Sequence, residues 1–131
     1  MKKIILAVDD DKNDRELLRL HLEYSFRKCL SSEKNMPFVI IAKGGEEAWN
    51  ILTKGKITPH VMIVDYKMPG MNGIELIKKI IGELSINPVF ILHSDHSLAE
   101  DGSKEVNCMF VQKGEREKFR ELTEEIRLFT P

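Results

Sequence analysis

Short apolar runs alternate along this chain with longer segments of mixed polarity. Five runs have the length of strands and are apolar at almost every position: residues 3–8, 38–42, 61–64, 88–92 and 108–111. Runs that are apolar throughout, rather than at every second residue, are typical of parallel strands covered on both faces of a sheet. The pattern therefore predicts five buried parallel strands.

Two of the intervening segments begin with the spacing of a capping box, in which two side chains three residues apart each bind the other's backbone. Asn13 with Glu16 predicts a helix over residues 13–28, and Asn72 with Glu75 predicts one that runs to about residue 84. For the first helix we expect an apolar side formed by four leucines, Leu17, Leu18, Leu20 and Leu22.

The sequence signals for the other predicted helices differ in strength. Gly44-Gly45 opens a predicted helix that runs through Glu46 to Thr53, and Gly55, a residue type that often ends helices, ends it. A last helix is predicted from about Glu115, with one apolar face at spacings of three and four residues: Phe119, Leu122, Ile126 and Phe129. Segment 96–106 has few apolar residues and a central glycine, so we expect a helix there to be short and poorly anchored.

Strand and helix thus alternate five times within 131 residues, a length that fits one compact domain over residues 1–131. This alternation predicts an α/β fold, with a doubly wound, five-stranded parallel sheet flanked by helices on both faces. In such sheets ligands bind at the carboxyl ends of the strands, near the point where the strand order reverses.

Aspartates stand at the carboxyl ends of two predicted strands. Asp9, Asp10 and Asp11 follow the first, and Asp65 follows the third. Carboxylates that share a pocket repel one another and raise each other's pKa unless a cation lies between them. An oxygen-only cluster suits a hard divalent cation such as Mg²⁺. The pattern indicates phosphate chemistry with a bound metal.

Composition excludes several other functions. The formal net charge of -1 gives no electrostatic reason to expect binding to nucleic acid or to an anionic membrane. No stretch approaches the roughly 20 apolar residues that a membrane span needs. Cys29 and Cys108 have neither paired nor metal-type spacing, which indicates free thiols in a reducing compartment. We expect a soluble, cytoplasmic protein.

With these motifs the chain resembles the receiver domain of response regulators in two-component signalling, a mainly bacterial system. The resemblance is carried by Asp9-Asp10, by residues 65–73, which fit the family pattern Asp-x-x-Met-Pro-x-Met-x-Gly, by Ser94 and by Lys113. These positions follow strands one, three, four and five in the right order, and the resemblance covers nearly the whole chain. It implies the CheY-like, flavodoxin-like strand order 2-1-3-4-5.

The resemblance implies that Asp65 is the phosphoacceptor. A sensor histidine kinase or a histidine phosphotransfer protein would donate the phosphoryl group, and the product would be an aspartyl phosphate. The cofactor Mg²⁺ would be held by Asp9, Asp10 and Asp65, with the backbone carbonyl of Lys67 as a further ligand. Asp11 is interpreted as an acid that leads the first helix.

The remaining site residues take their roles from the same resemblance. Lys113 would bind a phosphoryl oxygen as a point charge, and Ser94 would donate a hydrogen bond to another. Ser94 and the aromatic residue Phe110 would form the switch that turns phosphorylation into a conformational change. The chain ends soon after its last helix, so we expect no output domain: either the protein signals by docking to a downstream protein, or the chain is a fragment of a longer one. The resemblance also implies no turnover of a substrate.

The chain departs from the family at several positions. Gly114 follows Lys113 where proline is usual, Asp95 follows Ser94 where a small residue is usual, and the segment between Ser94 and Lys113 is short. Lys67 can reach over a phosphoryl group and alter the access of water. The short segment and Gly114 favour an alternative: a receiver-like interaction module whose binding does not depend on phosphorylation. The intact acids, Ser94 and Lys113 argue against it.

Two further functions fit less well. A Mg²⁺-dependent phosphatase with an aspartyl nucleophile needs a second acid two residues later, and Lys67 stands there. A flavodoxin-like or dinucleotide-binding protein needs a glycine-rich or hydroxyl-rich phosphate loop after the first strand, where Asp9, Asp10 and Asp11 would repel phosphate. The four histidines, His21, His60, His93 and His96, share no metal-ligand spacing, and we expect them at surface or loop positions, with His93 and His96 flanking Ser94.

Overall fold

The structure is a computed structural model that describes residues 3–29 and 36–114 together with residues 117, 120, 121 and 124. The described part contains five strands: β1 (Ile4–Val8), β2 (Phe38–Ala42), β3 (Val61–Val64), β4 (Val89–Ser94) and β5 (Met109–Gln112). All neighbouring strands are parallel, in the order β2-β1-β3-β4-β5. The predicted fold class and strand order are confirmed.

Within the described ranges, helices connect the strands: α1 (Lys12–Cys29), α2 (Gly45–Thr53), α3 (Gly73–Glu83) and α4 (Ala99–Glu105). Residues 117, 120, 121 and 124 are also helical, in the segment where the last helix was predicted. The predicted apolar face of that helix lies outside the described residues.

Both faces of the sheet are covered by apolar clusters, and successive strand residues belong to opposite faces. Ile5 and Ile63 pack in one cluster with Leu18, Leu22 and Phe26 of α1. Leu6 and Val8 of β1 and Met62 and Val64 of β3 pack in the other, with residues of α2 and α3. The central strands β1 and β3 are apolar throughout because both of their faces are covered, whereas the edge strands β2 and β5 are partly exposed.

Helix α1 begins differently from the prediction. The Asp11 carboxylate accepts a hydrogen bond of 2.9 Å from the Asp14 N–H, so Asp11 caps the helix and the expected cap at Asn13 is wrong. The predicted apolar side is also wrong in part. Leu17 and Leu20 are 53% and 60% exposed, because the buried face runs through residues 18, 22 and 26 at steps of four.

Helix α3 follows the prediction closely. The Asn72 side chain accepts a hydrogen bond of 2.8 Å from the Glu75 N–H, and the Glu75 carboxylate accepts one of 3.1 Å from the Asn72 N–H. This reciprocal pair is the predicted capping box, and it sets the start of the helix at Gly73.

Helix α4 is short, as expected, but it is well anchored. Ala99, Gly102 and Ser103 are buried against the rest of the domain. A Cβ atom at Gly102 would lie 2.9 Å from Cγ1 of Ile74, so the glycine allows α4 to lie directly against α3. The expectation of poor anchoring is wrong because close backbone approach replaces large apolar side chains.

Candidate functional site

The carboxyl ends of four strands surround one open cleft of about 370 Å³. Asp9 follows β1, Asp65 follows β3, Ser94 ends β4 and Lys113 follows β5. Because all neighbouring strands are parallel, their carboxyl ends lie at one edge of the sheet, and residues far apart in sequence meet there. The residues that line the cleft include Asp65, Ser94 and Lys113, the loop residues Asp10, Asp11, Lys67, Asp95 and His96, and Asp14 of α1.

Three predicted metal ligands come together. One oxygen of each carboxylate of Asp9, Asp10 and Asp65 lies within 4.8 Å of the others. Asp9 and Asp65 are buried, whereas Asp10 is exposed. An all-oxygen set with one open side suits a hard divalent cation that keeps part of its water shell. These residues therefore fit a metal of this type, whereas the predicted ligand role of the Lys67 carbonyl stays a prediction.

Backbone hydrogen bonds orient the two buried carboxylates. The Asp11 N–H donates to Asp9 Oδ1 at 3.0 Å, and the Tyr66 N–H donates to Asp65 Oδ1 at 2.8 Å. Each carboxylate thus has one oxygen held by the chain that follows it. The second oxygens, Oδ2 of Asp9 and Oδ2 of Asp65, both contact Lys113.

Lys113 lies at the centre of the charged groups. Among the described residues its ammonium contacts three carboxylates: Asp9 at 2.9 Å, Asp14 at 2.8 Å and Asp65 at 3.1 Å. The backbone N–H of Lys113 donates to the Ser94 carbonyl at 3.1 Å. This bond continues the pairing of β4 with β5 and positions the Lys113 side chain. The structure brings this predicted residue directly to the predicted phosphoacceptor.

Asp14 is the residue of this site that sequence reasoning missed. It lies in the first turn of α1, three residues after the capping Asp11. Because α1 begins only a few residues after β1 ends, an acid in its first turn lies near the carboxyl end of that strand. This position at the start of the helix was the signal that could have identified it.

Burial and charge shift two pKa values in the cluster. The pKa of Asp9 is raised to about 6, chiefly because burial disfavours the charged carboxylate, and partly because Asp65 is close. Burial also acts to lower the pKa of Lys113, but hydrogen bonds to Asp14 and Asp9 and the charge of Asp65 outweigh it. The net effect raises the Lys113 pKa, so the side chain remains an ammonium.

The predicted switch residues lie at the end of β4 and within β5. Ser94 is buried, and its hydroxyl oxygen accepts a hydrogen bond of 3.1 Å from the His96 N–H. Phe110 is half-buried on β5, in register with Leu92, and packs against the cluster that contains Ala99 of α4. Their role as a switch stays a prediction.

Two histidines next to Ser94 have different surroundings. The ring centroid of His96 lies 4.8 Å from that of Tyr66, and His96 lines the cleft. His93 is not a loop residue, because β4 continues through Ser94. Burial lowers the pKa of His93 to about 4, and the charge of Lys113 adds to this effect.

Gly73 closes the motif that begins at Asp65. Its N–H donates to the Tyr66 carbonyl at 2.8 Å, and a Cβ atom at Gly73 would overlap the Asp65 carbonyl oxygen. The loop can therefore fold back onto Asp65 only because residue 73 has no side chain. This contact gives the last glycine of the sequence pattern a steric explanation.

Gly114 has a left-handed backbone conformation, with φ of 86°. Proline fixes φ near about −65°, so the proline usual at this position in the family cannot adopt the conformation seen here. Glycine in place of proline is thus consistent with the left-handed backbone at this position.

Cys108 is a free thiol, and the side chain of Cys29 lies outside the described residues. Among the described helices, none combines the length and the apolar character needed to cross a membrane.

Comparison with curated proteins identifies relatives in bacteria and plants. The chain is 37% identical over 93 residues to the response regulator GtcR of Aneurinibacillus migulanus, covering 70% of this chain and 33% of that protein. It is 32% identical over 98 residues to a chemotaxis protein CheY homolog of Campylobacter jejuni, covering 73% and 68%. It is 33% identical over 96 residues to the two-component response regulator ARR16 of Arabidopsis thaliana, covering 70% and 58%. The match thus spans a third of one of these relatives and about two thirds of another.

Solved structures agree with this relationship. The response regulator protein TrrA of Thermotoga maritima, in complex with Mg(2+)-BeF, is 28% identical with a TM-score of 0.71, covering 97% of this chain and 98% of that one. A response regulator receiver protein of Pseudomonas putida is 25% identical with a TM-score of 0.75, covering 95% and 98%. The profile of the family "Response regulator receiver domain" matches residues 5–126. The chain therefore belongs to the receiver domains of two-component response regulators.

Proposed function

We propose that this domain accepts a phosphoryl group on Asp65 and signals by a change of conformation. The observation that carries the proposal is the Lys113 ammonium, 3.1 Å from Asp65, beside the carboxylate group of Asp9, Asp10 and Asp65. A nucleophile, a cation for the phosphoryl charge and a set of metal-binding oxygens thus share one cleft. Phosphoryl transfer depends mainly on such positioning and charge neutralisation.

Each residue contributes a separate part of the reaction. A carboxylate oxygen of Asp65 attacks phosphorus, an O–P bond forms, and the P–N bond of the donor phosphohistidine breaks, leaving its electron pair on the histidine nitrogen. Lys113 turns from the carboxylates to a phosphoryl oxygen. Mg²⁺, held by Asp9, Asp10 and Asp65, supplies charge neutralisation when bound. TrrA, a relative of the same fold, was solved with Mg²⁺ and beryllium fluoride.

Ser94 and α4 carry the proposed output. The Ser94 hydroxyl oxygen accepts a hydrogen bond from the His96 N–H, and His96 lies in the loop just before α4. Donation of the Ser94 hydroxyl to a phosphoryl oxygen would pull this loop toward Asp65, and Phe110 would adjust beside it. A downstream protein that docks to this surface would sense the change.

The proposed setting follows from the family. A sensor histidine kinase or a histidine phosphotransfer protein supplies the phosphoryl group, the compartment is the cytoplasm, and the domain turns over no substrate beyond its own aspartyl phosphate. Phosphorylation-independent docking, the alternative considered from the sequence, is less favoured, because the structure brings the charged groups of the phosphorylation site into contact.

Intact-mass spectrometry tests the proposal. After incubation with acetyl phosphate and Mg²⁺, the wild-type protein should gain the mass of one phosphoryl group, whereas Asp65→Asn should gain none. Omission of Mg²⁺ should abolish the adduct in the wild type. The absence of an adduct in the wild type, or an equal adduct in Asp65→Asn, would refute phosphorylation at Asp65.

A further inference from the structure

The Lys113 ammonium has three N–H bonds and, among the described residues, three carboxylate partners. The partner with the shortest contact is Asp14, at 2.8 Å. Its side chain is 39% exposed, whereas those of Asp9 and Asp65 are 2% and 8% exposed. Asp14 is therefore the partner that keeps most of its hydration, and its negative charge has the smallest desolvation cost of the three carboxylates.

A divalent cation and the Lys113 ammonium compete for the same two carboxylates. Asp9 and Asp65 belong to the group of oxygens that fits a metal, and both also contact Lys113. A cation that binds Asp9 and Asp65 repels the Lys113 ammonium and occupies the carboxylate oxygens that the ammonium contacts in this structure. Within the described residues, the metal-type group does not include Asp14, so its contact with Lys113 is compatible with a bound cation.

The backbone holds Asp14 where this contact requires it. Asp14 lies in the first turn of α1, and its N–H donates to the capping carboxylate of Asp11 at 2.9 Å. Its position is thus determined by the start of the helix, and its own carboxylate is not part of the oxygen group that fits a metal. The ammonium can stay on the α1 side of the cleft while Asp9 and Asp65 turn to a cation.

We propose that Asp14 is a positioning residue that holds the Lys113 ammonium during cation binding and thereby strengthens the binding of Mg²⁺. This inference rests on the proposed function, because it assumes that Asp9, Asp10 and Asp65 bind Mg²⁺. Without Asp14, Lys113 keeps its bonds to Asp9 and Asp65, and the cation has to displace them.

Asp11 provides a matched control for the charge of Asp14. Both acids line the same cleft, but Asp11 is not among the described ion-pair partners of Lys113. Asparagine caps helices as well as aspartate does, so Asp11→Asn keeps the start of α1. The two Asp→Asn variants remove the same charge, and only one removes the contact with Lys113.

Calorimetric titration with Mg²⁺ tests the proposal. Asp14→Asn should weaken Mg²⁺ binding by about tenfold, because a charge-assisted hydrogen bond is lost. Asp11→Asn should weaken it by about twofold, as expected for a screened charge alone. In a Lys113→Met background the two substitutions should have equal effects. Equal effects in the wild-type background, or a difference that persists without Lys113, would overturn the proposal.

NMR of the Lys113 side chain gives a second, independent measurement. With saturating Mg²⁺, the two Hε protons of Lys113 should stay inequivalent in the wild type and in Asp11→Asn, because the ammonium is held in one place. They should merge in Asp14→Asn. An unchanged Lys113 signal in Asp14→Asn would contradict the positioning role. If the wild-type protein binds no Mg²⁺ at all, the proposed function itself fails.

Discussion

The Lys113 ammonium lies 3.1 Å from Oδ2 of Asp65, although 48 residues separate them in sequence. The contact exists because β5 pairs with β4 and β4 pairs with β3, so that the chain following each of these strands reaches the same edge of the sheet. The position of the Lys113 side chain therefore depends on how this edge of the sheet is assembled.

We expect Lys113→Met to lower the free energy of unfolding at pH 8 without Mg²⁺ by about 3 kcal/mol, because it leaves buried carboxylates unpaired. Urea unfolding measures the loss, which should shrink below the Asp9 pKa of about 6, where that carboxyl is protonated. Lys67→Met is the control, since Lys67 is exposed and lines the same cleft. A similar loss in both variants would contradict the explanation.

His93 should make the protein sensitive to mild acid. Its pKa is about 4 in the folded protein against 6.5 for an unperturbed histidine. Above pH 6.5 the side chain is neutral in both states and contributes nothing. As the pH falls from 6.5 to 4, the unfolded chain binds the proton first, so the free energy of unfolding falls by up to about 3 kcal/mol.

The variant His93→Gln separates this effect from other titrations. Asp9 acts in the opposite direction, because its raised pKa makes the folded protein bind a proton first as the pH falls through about 6. The charges of Lys113, Asp14, His21 and Asp95 that surround His93 remain in the variant. Urea unfolding from pH 7.5 to 4 should therefore show a smaller acid loss in His93→Gln; equal slopes would show that His93 is not responsible.

Gly114→Pro should disturb the loop after Lys113. Proline cannot adopt the φ of 86° found at this position, so the backbone must change or the protein loses at least about 1 kcal/mol of stability. Gly114→Asn is the matched control, because asparagine tolerates the left-handed conformation. Only proline should lower the melting temperature and the extent of phosphorylation of Asp65. Equal melting temperatures in the two variants would argue against the conformation described.

Gly73→Ala should damage the loop that carries Asp65. The added Cβ atom would overlap the Asp65 carbonyl oxygen, which belongs to the backbone and cannot rotate away, at a cost of at least about 2 kcal/mol. Gly82→Ala is the control in the same helix, where a Cβ meets nothing within 4 Å and alanine favours the helix. Chemical denaturation should show a loss for residue 73 and a small gain for residue 82. A stable, phosphorylated Gly73→Ala protein would contradict the predicted clash.

Local patterns explain why the strands and α3 could be predicted. Burial on both faces of a sheet requires apolar residues throughout each strand, and this requirement is visible in any short window of sequence. The capping box of Asn72 and Glu75 joins residues three apart, so its geometry is also local. The start of α1 was harder, because Asp11 and Asn13 are both good caps and either satisfies the same local rule.

Contacts between distant segments decided the features that sequence analysis did not predict. The anchoring of α4 depends on the approach of Gly102 to Ile74, and the place of His93 depends on the pairing of β4 with β5, which continues past the apolar run. Neither contact leaves a periodic signal in the residues that make it.

The sequence by itself determined the order of strands and helices and the acids at the strand ends, because burial and capping are imposed on neighbouring residues. Only the tertiary structure showed that Lys113 joins Asp65 to Asp14 of α1, 99 residues away from Lys113. An ammonium binds whichever carboxylates the fold brings within about 3 Å, and that distance is set by the packing of helix and sheet.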